Sequence, residues 1–132
     1  MGGKVFGKIE KEVMLKLLDG QDDNLAVLRD QYAQSAVKKR EYSGTGFFTS
    51  FEIPDDISKL KTSKSIQLGD VVAEIKGVKD GVGFVLFIKN GVIDFLEGYT
   101  YGEEKWPKEI SEYKLSYFSG LKRDMKKLQE KW

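Results

Sequence analysis

Two dipeptides, Asp80-Gly81 and Asn90-Gly91, separate runs of alternating apolar residues and constrain this chain more than any other feature. Asp-Gly and Asn-Gly favour the positive φ angles of a two-residue type I′ turn, whose twist matches that of paired antiparallel strands. The runs they divide, "VVAEIK", "GFVLFIK" and "VIDFLEG", therefore read as a three-stranded meander. Counting outward from the turns pairs Ile75 with Leu86 and Leu86 with Phe95; it also pairs Glu74 with Phe87 and Phe87 with Asp94. Alternation then sorts two faces. One carries Val71, Ala73, Ile75, Phe84, Leu86, Ile88, Ile93 and Phe95, with Glu97 at its end. The other carries Val72, Glu74, Lys76, Val85, Phe87, Lys89, Val92, Asp94 and Leu96, a mixture of charge and bulk that suits a half-wet surface.

The first face needs a cover, and the N-terminal third supplies one. Ile9, Val13, Met14 and Leu17 share one helical face, and Gly20 stands where a helix ends, so a helix is expected over residues 7 to 19. Asp22 and Asp23 are N-cap candidates for a second helix with Leu25, Leu28 and Tyr32 on one stripe, ending near Ser35. The short link predicts an antiparallel helix pair. From Val37 the period becomes two: a charged edge strand, "VKKREY", then Gly44-Thr45-Gly46 as a hairpin turn, then "GFFTSFEI". Pro54 ends that strand, and residues 54–69 read as a polar loop. "KLSYFSG" adds a strand, and Leu121, Met125, Leu128 and Trp132 predict a C-terminal helix over 120–132. The expectation is a single α+β domain over 1–132, with a flexible start at 1–6. Its N-terminal antiparallel helix pair packs on a mainly antiparallel five- to six-stranded meander sheet, followed by a short C-terminal helix.

Composition removes several chemistries. The chain has no histidine and no cysteine, which excludes Ser-His-Asp and Cys-His catalysis, imidazole- or thiolate-bound metals and disulfides. No cofactor is implied. With 22 Lys plus Arg against 21 Asp plus Glu, no global field draws in nucleic acid or an anionic membrane. No apolar run approaches the ~20 residues of a membrane span, and a cytoplasmic protein is the expectation. "DGVGFVLF" follows an RNA-binding strand pattern, yet it has Asp80 in the basic position and Val82 in place of a base-stacking aromatic, so nucleic acid is not an expected partner.

Two candidate sites remain. Glu74 and Asp94, flanking Phe87 in the register above, are the carboxylate pair an enzyme or small-ligand site would use; a solvated lattice with Lys76 and Lys89 is the structural alternative. In "FLEGYTYGEEKWP", Gly98 is expected to break the strand, so that Tyr99 and Tyr101 leave the ladder. Trp106 before Pro107 is extended, and Pro107 to Ile110 resembles one helical turn. Trp106 then either plugs the end of the sheet or joins Glu97, Tyr99, Tyr101, Glu103 and Glu104 in an aromatic, acid-rimmed contact surface for another protein. The expected function is a non-catalytic protein-binding module with a regulatory or toxin-neutralising partner, itself a monomer or weak homodimer.

"REYSGTGFFTSFEIP", "LGDVVAEI", "GFVLFIKNGVIDFLEGYTYGEEKWPKEI" and "YKLSY" together resemble a group of small uncharacterised bacterial proteins with this order of blocks. The resemblance spans about residues 12 to 118 and implies a bacterial cytosolic protein of α+β build. It carries no activity and no catalytic residue.

Overall fold

The structure is a computed structural model describing residues 3–132. Helix α1 (Gly3–Leu17) and helix α2 (Asp23–Ala33) precede strands β1 (Ala36–Tyr42), β2 (Gly46–Glu52), β3 (Ile66–Ile75), β4 (Val82–Lys89), β5 (Val92–Thr100) and β6 (Tyr113–Tyr117), and helix α3 (Met125–Gln129) closes the chain. The strands form one antiparallel sheet in the order β1-β2-β5-β4-β3-β6. Here the β3-β4-β5 meander is extended on one side by the β2-β1 hairpin and on the other by β6. This is the expected α+β build, with the charged β1 at an outer edge.

Local chemistry accounts for the elements. Asp22 caps α2, its carboxylate accepting from the amides of Asn24 and Leu25 at 2.9 and 3.1 Å. Asn90 and Gly91 take φ of 53° and 77°, so β4 and β5 are joined by the anticipated tight turn. α1 packs against β3 and β4, and α2 against β5, burying Ile9, Val13, Met14 and Leu17 of the one and Leu25 and Leu28 of the other. Burying a side chain of this kind is worth about 1.5–3 kcal/mol, so this layer contributes substantially to the stability of the fold. Two buried polar groups tie the layers together. Glu10 accepts from Arg40 of β1 at 2.9 and 3.1 Å and from the Thr49 hydroxyl of β2 at 2.7 Å. Gln31 donates to the carbonyls of Ser58 and Gly91 and accepts from the Ile93 amide.

Boundaries shift from the sequence expectations in four places. The expected flexible start at 1–6 falls outside the described residues at Met1 and Gly2, while α1 already begins at Gly3. The polar loop is shorter than 54–69 because β3 starts at Ile66, where Ile66 and Leu68 are buried against β4. The C-terminal helix is confined to Met125–Gln129, and Leu121 stands exposed outside it. Pro107 to Ile110 forms no helical turn, and Ile110 is buried from irregular chain.

The largest difference is in register. β3 and β4 pair Ala73 with Val82, Val71 with Phe84 and Leu68 with Leu86, so the link across Asp80-Gly81 is a long loop rather than a two-residue turn. Val78 tucks into the core within that loop, and the Glu104 carboxylate accepts from the amides of Lys79 and Asp80. In β5 the pairing shifts between Phe87 and Ile88: Ile93 faces Ile88, but Phe95 faces Phe87 and Leu96 faces Leu86. Asp94 is the extra residue of a β-bulge, and every side chain after it changes face. Leu96 and Thr100 are therefore buried under the helices, whereas Phe95, Glu97 and Tyr99 lie on the opposite face.

Candidate functional site

Helices α1 and α2 pack on the other side of the sheet, and α3 borders this face beside Gln67 and Val85. Its layout follows from the register. One row runs from Phe48 through Glu97 to Val85; the next runs from Ser50 through Phe95 and Phe87 to Gln67; a third runs from Gly46 through Tyr99 and Gly83 to Val72. The aromatic side chains are half-buried by one another. Phe87 and Phe95 stack with centroids 4.3 Å apart and planes 16° apart, and Phe48 meets Phe95 at 5.9 Å.

Glycines shape the third row. A Cβ on Gly83 would lie 2.6 Å from the Tyr101 hydroxyl and 2.7 Å from that of Tyr99, so both rings reach over β4 only because position 83 has no side chain. Tyr99 and Tyr101 meet edge to face at 5.4 Å. Burial, the neighbouring Tyr99 phenol and a hydrogen bond to it push the Tyr101 phenol up to about 12. Burial likewise raises the Glu97 carboxyl above its ordinary range.

Beside these rows the surface dips twice. A hollow of about 570 Å³ is bounded by Val72, Glu74, Gly81, Tyr101 and Phe118. A second, of about 740 Å³, is bounded by Gln67, Val85, Phe118 and residues of α3. Phe118, 74% exposed, stands between them as a ridge.

The candidate residues are thereby redistributed. Trp106 is 7% exposed and packs edge-on against Phe47 at 5.0 Å and Phe84 at 6.5 Å on the helix-covered side, so it plugs the sheet end. Its amide donates to the Gly44 carbonyl at 2.7 Å. Gly98 does not break the strand: β5 continues to Thr100, and the missing Cβ leaves room for the Phe47 ring. Tyr99 thus stays in the ladder, and Tyr101 is the first residue beyond β5. Glu104 is engaged with the 76–81 loop, while Glu103 is exposed in the turn with φ 57°. Of the expected contact set, Glu97, Tyr99 and Tyr101 remain together on the open side.

Glu74 and Asp94 are not brought together. Glu74 lies one residue beyond the Ala73–Val82 pair and faces Lys114 of β6, whereas Asp94 sits at the bulge next to the Ile93–Ile88 pair. Six residues of β4 separate these positions, roughly 20 Å at strand rise. The row Glu74-Phe87-Asp94 does not form, because both turn-based registers on which it rests are displaced. Sequence reading missed Phe48, Phe95 and Phe118 as surface residues; the three-residue spacing of buried Ile93 and Leu96 was the available sign of the bulge.

No protein-family model matches the chain, and comparison with curated proteins and with solved structures gave no significant match to either. No helix among the described residues is long and apolar enough to cross a membrane.

Proposed function

We propose that this chain is a non-catalytic binding module that docks another protein on its open sheet face. The observation that carries the reading is the aromatic cluster of Phe48, Phe87 and Phe95, which lies on the face away from α1 and α2 and is flanked by the Phe118 ridge. A contiguous apolar surface on a soluble domain marks an interaction site more often than chance exposure does. Tyrosines with polar tips and rigid rings at its margin are favoured anchors. The separation of Glu74 from Asp94 removes the geometric basis of the carboxylate alternative.

A photo-crosslinking side chain at Ser50, within the face, should trap a discrete protein adduct in cells, and changing Phe87 and Phe95 to Ser should abolish it. The same group at Leu15, exposed on α1, should trap nothing comparable. An adduct indifferent to the double change, equal trapping from both positions, or no adduct at Ser50 would contradict the reading.

A further inference from the structure

Glu97 lies in the middle row of the open face, and no cation among the described residues is within ion-pair distance of it; Lys127 and Lys131 line the hollow beyond Val85. Its neighbours are Phe48 and Val85 across the strands and Phe95 and Tyr99 along β5. No ion pair or hydrogen bond involves its carboxylate among the described residues. Glu41 lies beyond Phe48 on β1 and is engaged with Lys39 at 3.4 Å, and Lys89 stands at the end of β4. A carboxylate half-withdrawn from water among rings, with no partner, is an unfavourable arrangement for the free protein and a favourable one for a ligand that brings the missing charge.

We infer that Glu97 is the anchor for an arginine side chain of the docked protein. The inference rests on the docking reading above and names the chemistry of its central contact. A guanidinium fits better than an ammonium because it can pair with the carboxylate through two parallel hydrogen bonds, and because its weakly hydrated plane can lie against phenylalanine rings. Charge complementarity also argues against a second copy of this chain as the occupant. Face against face, a copy would set Glu97 against aromatic rows or another carboxylate, since the lysines around the face, Lys39, Lys89, Lys127 and Lys131, all stand outside its central rows.

The test is selection of a phage-displayed random dodecapeptide library on the full chain, followed by affinity measurements with the synthesised winners. Enriched peptides should share an arginine among apolar residues. Their affinity should fall at least about tenfold on Glu97→Gln and equally when the arginine is replaced by citrulline, with little further loss when both changes are combined. Glu97→Gln is nearly isosteric, and its melting temperature, at or above wild type, certifies the fold. Peptides that lose binding on Phe87→Ser/Phe95→Ser yet tolerate Glu97→Gln would overturn the arginine assignment and leave the docking face standing. Peptides indifferent to both variants, or no enrichment at all, would overturn both.

Discussion

Phe87 and Phe95 stack nearly parallel across β4 and β5, 4.3 Å between centroids, and they face one another only because Asp94 is bulged out of the ladder. Without the bulge, Phe95 would point into the core and Leu96 to solvent. A single inserted residue thus moves an aromatic ring, Glu97 and Tyr99 onto the open face together.

Trp106 and Tyr101 should behave as opposites. Trp106→Ala removes a buried indole packed on Phe47 and Phe84 and is expected to destabilise the fold by about 3–5 kcal/mol. Tyr101→Ala, at a site 43% exposed, should change stability by less than about 1 kcal/mol. Urea denaturation of the two variants checks this; equal losses would mean that Trp106 is not the plug.

Glu97 should lower stability at neutral pH. Its folded-state pKa is raised by burial, so between the unfolded value and the folded one the native state binds more protons than the unfolded state. Its contribution is therefore a penalty that appears as pH rises through that window and is absent below it. Glu97→Gln should raise the melting temperature at pH 7 by a few degrees, with the gain vanishing below the ordinary carboxylate range. A gain that persists unchanged in acid would show that charge is not its cause.

Gly83→Ala should leave the fold intact while displacing Tyr99 and Tyr101, since the new methyl would meet the ends of two rotatable side chains rather than backbone. With that pair opened, the Tyr101 phenol should titrate nearer 10 than about 12. Ultraviolet absorbance titration reads the change directly. A titration curve identical to wild type would contradict the placement of the rings over β4.

Gln31→Leu deletes three hydrogen bonds that join α2 to the loop at Ser58 and to the β4-β5 turn, leaving the buried Ile93 amide without its side-chain acceptor, while the Gly91 carbonyl keeps the Leu60 amide. The expected loss is roughly 2–4 kcal/mol. Amide exchange at Ile93 should accelerate beyond what that global loss explains, and uniform acceleration across β5 would argue against a local clamp.

The sequence made the layers legible because helical periodicity in Ile9, Val13, Met14 and Leu17, and alternation in β4, are local properties that burial then enforces. Asn90-Gly91 fixed its turn for the same reason: both φ angles are positive and both residues tolerate them. Asp80-Gly81 misled because the loop it ends is held by distant groups, the Glu104 carboxylate and the packing of Val78, which no local pattern announces. The bulge at Asp94 reversed the parity on which face assignment depends for the rest of β5, whereas Val71, Ala73 and Ile75 keep their expected core face. Consequently Glu97, Tyr99 and Tyr101 stay together as the sequence suggests, Trp106 follows its plug alternative, Glu104 turns to the 76–81 loop, and Phe48 and Phe95 join the face without a local signal.

The most direct measurement is a methyl and aromatic NMR shift map of the wild-type chain saturated with an enriched dodecapeptide. Shifts concentrated on the Val85 and Val92 methyls and the Phe48, Phe87 and Phe95 rings are the expected result. Shifts concentrated instead on Leu15 and Val37, exposed beside the groove between the helices and β1, would place docking on the other side of the sheet and contradict the assignment of the open face.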